Sequence, residues 1–213
     1  MRLLVPLVLI LLLGAWFFRA SRRAVQPPET VVASIGGMRF SYPFAFARDG
    51  ATRMGGPQER LAFVMRFPDF SAPPPPAGAA RGAAPEPDPT DIFIAVAPKD
   101  DAIDPAERPS KLYARFLESD VFAAPGGLML RRFETDSPYE LEQLYLAPPD
   151  GADFFARCPK REAGFMGAAP CLWALRRGPL DVEVRFSPTL LEHRSRLAEG
   201  VQAFLRRIEA APQ

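Results

Sequence analysis

The stretch 180–208, LDVEVRFSPTLLEHRSRLAEGVQAFLRRI, changes its hydrophobic period partway along. LDVEVRFS (180–187) has the composition and alternation of a strand. From there Leu190, Leu197, Val201, Phe204 or Leu205, and Ile208 recur at helical spacing. Ser187–Pro188 marks the boundary, a capping serine followed by the residue best tolerated at the first helical position. A strand that feeds a long amphipathic helix, 188 to about 210, requires the helix to fold back onto a sheet. Gly200 in mid-helix costs about 1 kcal/mol relative to alanine unless another group approaches its backbone closely.

Upstream, the chain reads as the rest of that sheet. VVASIGGMRFSYP (31–43) holds two β-rich runs around Gly36–Gly37, a hairpin signal because glycine reaches positive φ at low cost. RLAFVMRF (60–67) and DIFIAVAP (91–98) continue it. Then GLMLRRFET (127–135), YELEQLYLA (139–147), ADFFARC (152–158) and PCLWALRRG (170–178) follow, separated by turn signals, as in an antiparallel meander. LEQLYLA can also be read as helical. DPAERPSKLYARFLESD (104–120) reads as a helix capped by Asp104 or Ser110, with Leu112, Phe116 and Val121 or Phe122 turned to the sheet. The expected fold class is α+β: an N-terminal transmembrane helix, then an antiparallel β-sheet covered on one face by two helices.

The two cysteines of the chain, Cys158 and Cys171, end one expected strand and begin the next. Their spacing is neither a zinc-ligand pair nor a redox dithiol, and a four-ligand metal site would need two more Cys or His where only His193 exists. A disulfide is the expected role. It would make PKREAGFMGAAP (159–170) a tethered loop that presents Lys160, Arg161, Phe165 and Met166 as a possible contact surface.

Residues 3–18, LLVPLVLILLLGAWFF, form an uncharged run flanked by Arg2 and by Arg19, Arg22 and Arg23, and read as a membrane anchor. The expected organisation is an anchor with its basic flank at 1–23, a tether at 24–30, a single domain at 31–210 and a tail at 211–213. A Pro/Ala-rich segment at 68–90, containing eight prolines, is expected to be a disordered loop within that domain. Once Arg2, Arg19, Arg22 and Arg23 are set aside, the 26 basic residues fall below the 25 acidic ones. Nucleic acid is therefore not an expected partner.

Catalytic chemistry finds no footing in the pattern. His193 sits between Glu192 and Arg194 at the start of the last helix, as a solvated residue would, and no nucleophile elbow, phosphate loop or dinucleotide fingerprint occurs. The carboxylate pairs Asp100/Asp101 and Glu140/Glu142 read as solvated acids. No catalytic residue, cofactor or metal is expected. The sequence points to a non-enzymatic, single-pass protein of a bacterial inner membrane whose periplasmic domain binds another envelope protein, as an accessory subunit or an immunity-type inhibitor. A periplasmic lipid or small-molecule binding domain is the alternative. A cytoplasmic-facing membrane scaffold follows if the arginines after the apolar run set the topology.

Overall fold

A computed structural model of the protein describes residues 29–74, 88–160 and 170–209. The anchor at 3–18 with Arg19, Arg22 and Arg23, most of the tether and the tail lie outside these residues. Among the described residues, no helix is long and apolar enough to cross a membrane.

Strands β1 (Thr30–Ile35) and β2 (Met38–Pro43) form the expected hairpin, with φ of 55° at Gly36 and 80° at Gly37. A two-residue strand β3 (Gly56–Pro57) joins β1 in parallel, giving a small sheet in the order β2-β1-β3. The other strands are β4 (Leu61–Arg66), β5 (Asp91–Pro98), β6 (Leu117–Ala124), β7 (Leu128–Phe133), β8 (Glu142–Leu146), β9 (Phe155–Pro159), β10 (Cys171–Arg177) and β11 (Leu180–Phe186). They form one eight-stranded antiparallel sheet in the order β4-β5-β11-β10-β9-β8-β7-β6. LEQLYLA is thereby settled as strand.

Alternation along β11 separates the two faces of this sheet. Leu180, Val182, Val184 and Phe186 are buried on one side, while Glu183 and Arg185 are exposed on the other. The first face carries a short 3-10 helix at Pro188–His193 followed by the helix α2 (Arg194–Ile208), numbered after the one-turn α1 (Gly50–Met54). Leu197, Val201, Phe204, Leu205 and Ile208 of α2 are all buried in the main core. Burying such side chains contributes about 1.5–3 kcal/mol each. Phe40 and Tyr42 of β2 enter the same core, where Phe63 meets Tyr42 at 4.9 Å and Phe204 at 5.4 Å between ring centroids. An ion pair between Arg177 and Glu209, with Nη2 to Oε2 at 2.7 Å, ties the end of α2 to β10.

Gly200 is explained by its neighbour. A Cβ at this position would lie 2.1 Å from the ring of Phe70, so only glycine lets that ring sit on the helix backbone. Phe70 belongs to the Pro/Ala-rich segment; residues 68–74 and 88–90 of that segment are described, and 75–87 lie outside the described residues.

Two expectations need correction. The second helix, expected over 104–120, is replaced by three short turns at Pro105–Glu107, Pro109–Tyr113 and Ala114–Phe116, and the chain enters β6 at Leu117. Pro105 and Pro109 lack the N–H that a continuous helix would use, and the Asp104 side chain caps only the first turn, accepting from Ala106 N–H at 3.0 Å. These turns also lie on the opposite face from α2. There Tyr113 forms a second core with Phe133, Leu144, Leu146, Phe155 and Ala174, and Leu112 and Phe116 pack against it. The sheet is therefore covered on both faces, one helix-backed and one turn-backed.

Candidate functional site

A sheet of eight strands has two edges, and here they differ. At β4 the outward backbone groups are taken up by the preceding chain. Arg48 N–H donates to Ala62 O at 2.9 Å, Ala47 bridges Phe63, and Ala62 N–H donates to the Thr52 hydroxyl at 2.9 Å. Thr52 is fully buried, at 0% exposure, and its own carbonyl accepts the Tyr42 hydroxyl at 2.8 Å. Burial, with a smaller contribution from the Asp49 charge, pushes the Tyr42 hydroxyl up to about 12. Further along, Arg66 N–H donates to Ser71 O at 2.9 Å, so the chain just past Phe70 closes the end of the strand.

The β6 edge has no such cover. Strand β6 pairs with β7 on one side, and among the described residues no backbone group bonds to its outer side. Its register shifts between Leu117 and Val121, then runs regularly through Val121↔Arg131, Phe122↔Leu130, Ala123↔Met129 and Ala124↔Leu128. Val121 is 54% and Phe122 37% exposed. Arg131 donates to the Glu118 carbonyl within the shifted segment, and the Arg132 guanidinium lies 4.6 Å from the centroid of the Phe122 ring. At the tip of the hairpin, Arg194 Nε donates to Gly126 O at 2.8 Å, joining it to the start of α2. Long, exposed edges are normally blunted in native proteins because they template pairing with another chain. Glu118 and Asp120 blunt the first half of this one, and nothing charged stands in Val121–Ala124.

Cys158 and Cys171 form a disulfide, with Cα atoms 4.1 Å apart. It spans the junction of β9 and β10, which pair at a single position, Leu172↔Arg157, among the described residues. Of the possible contact loop, Lys160 is described, and its backbone N–H donates to Leu141 O at 2.8 Å. Arg161, Phe165 and Met166 lie outside the described residues. His193 is half exposed, as expected, and its ring stacks on Phe67 at 5.3 Å between centroids.

A cleft of about 240 Å³ opens on the turn-backed face beside Arg60, Asp100, Arg108, Asp181 and Glu183. Asp181 in this lining is held by Arg176, whose Nε and Nη2 donate to its two oxygens at 2.6 and 2.9 Å. That bond, more than any other influence, holds the Asp181 carboxyl below the usual carboxylate range. The cleft is smaller than the roughly 300–1,000 Å³ of small-molecule sites, and its lining mixes these charged residues with Ala95, Ala97, Pro98, Pro105, Ala174 and Val182. Among the described residues, no cluster of His, Cys, Asp or Glu could hold a metal ion.

The β6 edge was hidden in the sequence because LESD followed a run with helical spacing. The signal that could have exposed it is the β-branched and aromatic pair Val121–Phe122, seven residues before a strand of similar composition and across a Pro-Gly-Gly turn.

No known family model matches the sequence, and no curated protein matches it. Solved structures do. The fold is similar to that of an immunity protein of the Stenotrophomonas maltophilia type IV secretion system, with a TM-score of 0.60 at 16% sequence identity, covering 85% of this chain and 94% of that one. The Neisseria meningitidis iron-regulated outer membrane lipoprotein FrpD also matches, with a TM-score of 0.46 at 9% identity, over 84% of this chain and 94% of that one. At such identities the first likeness is one of fold, and the second carries no argument.

Proposed function

We propose that this protein is a non-enzymatic, membrane-anchored binder of another envelope protein, acting as an immunity-type inhibitor from the periplasmic side of the inner membrane. The open β6 edge carries the reading: an exposed strand with an apolar end is a surface that binds protein through main-chain hydrogen bonds. The fold likeness to an immunity protein supports the inhibitor class over an accessory subunit. The Cys158–Cys171 disulfide supports an oxidising compartment, where such bonds persist. The apolar run at 3–18 supplies the anchor.

Replacing Ala123 on β6 with a photo-crosslinking amino acid tests the reading in living cells, with the same replacement at Ala51, on the segment that seals β4, as the control. Irradiation should yield one dominant adduct with an envelope protein from position 123 and none from 51. Adducts from neither position, or the same set from both, would refute the edge as a binding surface.

A further inference from the structure

The β6 edge also holds a charge pattern that narrows what can pair with it. Arg132 sits diagonally across from Phe122 on the β6–β7 pair and is laid over its ring. It is exposed, and among the described residues it has no carboxylate partner. Other arginines nearby are engaged: Arg131 by the Glu118 carbonyl, Arg157 by Glu142 at 2.8 Å, and Arg194 by the Gly126 carbonyl. A guanidinium already stacked on an aromatic face has surrendered part of its rotamer freedom. It presents its fork for bidentate pairing at a lower entropy cost than a free chain.

The opposite side of the same strand has a different character. Val121 stands across from Arg131, whose guanidinium is turned towards Glu118, so this side offers an apolar surface. The acids of β6, Glu118 and Asp120, fall within the register shift at the start of the strand. They repel an incoming carboxylate there, whereas the Arg132 guanidinium, carried on β7 behind that segment, reaches over the Phe122 ring and attracts one at that position.

We infer that the binding partner contributes an extended strand that pairs with Val121–Ala124 and places an aspartate or glutamate over Phe122 against the Arg132 guanidinium, with apolar residues on the alternate positions. This deepens the protein-binding reading above and rests on it. The occupant is a strand of another protein and not a second copy of this chain. The only acids a second copy's β6 could bring, Glu118 and Asp120, lie within the register shift, where the strand departs from regular pairing, and its regular part ends at the Pro125–Gly127 turn.

The test uses the full chain in cells with the photo-crosslinker at Ala123, whose side chain lies on the Val121 side, away from Arg132. Arg132→Glu should lower the adduct yield about tenfold, Arg132→Gln several-fold, and Arg132→Lys least of all, as expected for loss of a charge-assisted pair. The thermal midpoint of each variant should match the parent because the side chain is exposed. Mass spectrometry of the adduct should place an aspartate or glutamate within about two residues of the crosslinked position, as the side-chain period of a strand requires. An adduct whose yield is the same in Arg132→Glu, whose partner segment lacks an acid, or whose partner is a second copy overturns this inference. Of these, an Arg132-independent or acid-free adduct with another protein leaves the protein-binding reading standing. Absence of any adduct at position 123 overturns both.

Discussion

The two halves of the eight-stranded sheet are built to different standards. In β4-β5-β11-β10 the pairing is long, running for example from Leu180↔Pro98 to Phe186↔Ile92 between β11 and β5, and α2 lies across the face. Its outer edge is sealed by Arg48, Thr52 and Ser71. In β9-β8-β7-β6 the pairing is shorter, the outer edge is unpaired among the described residues, and the second core gathers aromatic and leucine side chains under three short turns. Among the described residues the β9–β10 ladder that joins the halves has a single residue pair, reinforced by the disulfide and by core side chains shared across it. Longer pairing in one half and an open edge in the other predict that the β6 side opens before the β4 side in hydrogen exchange.

Gly200→Ala should damage the sealed half most. Its Cβ cannot coexist with Phe70, and expelling that ring should cost about 3–4 kcal/mol, near the cost of truncating a core phenylalanine. A denaturant midpoint measures it, and hydrogen exchange should show the Arg66–Ser71 closure opening. Cys158→Ser with Cys171→Ser removes a closure of about fourteen residues and should cost about 3 kcal/mol in the chain-entropy model. Exchange should rise first at Leu172 and Arg157 and much less on β5, since the staple serves the junction between the halves. Uniform exchange across both halves would show that they are not separable.

Thr52→Val should cost about 2 kcal/mol, because it leaves the buried Ala62 N–H without an acceptor. Calorimetry measures the loss, and protection should fall at Ala62 on the β4 edge. Its partner Tyr42 gives the same region a pH signature. With the folded hydroxyl pushed up to about 12 and an unfolded value near 10, the contribution is complete below pH 10 and is lost as pH rises through about 12. Tyr42→Phe should flatten that part of a stability–pH curve. The smallest effect belongs to the open edge: Ala123→Lys should change stability by less than about 0.5 kcal/mol, since the residue touches no core, while abolishing partner binding. A large loss of stability there would mean that β6 supports the fold.

Hydrophobic period carried much of this architecture. The Gly36–Gly37 hairpin, β5, β7, β9 to β11 and the terminal helix were legible because each buries one face, and burial leaves a period of two or 3.6 in the residues, while β8 stayed open between strand and helix. The Cys158–Cys171 pairing was legible because both cysteines stand at the facing ends of neighbouring strands. Gly200 was visible as an anomaly, yet its partner Phe70 lies 130 residues away in a segment whose prolines suggested no packing at all. The turns over 105–116 were misread because Leu112 and Phe116 do face a core, so their spacing matched a helix that Pro105 and Pro109 interrupt.

From the residues alone followed most of the strands, the terminal helix with its buried face, and the bond between the cysteines, since each is written in local chemistry. Tertiary structure alone decided which strand ends the sheet and whether that end is closed. An edge is a statement about hydrogen-bond partners, and those partners come from distant chain: Thr52 for Ala62, Ser71 for Arg66, and for the outer side of β6 none among the described residues. Strand β6 has an ordinary composition, and only its place at the end of the order β4-β5-β11-β10-β9-β8-β7-β6 makes it an edge.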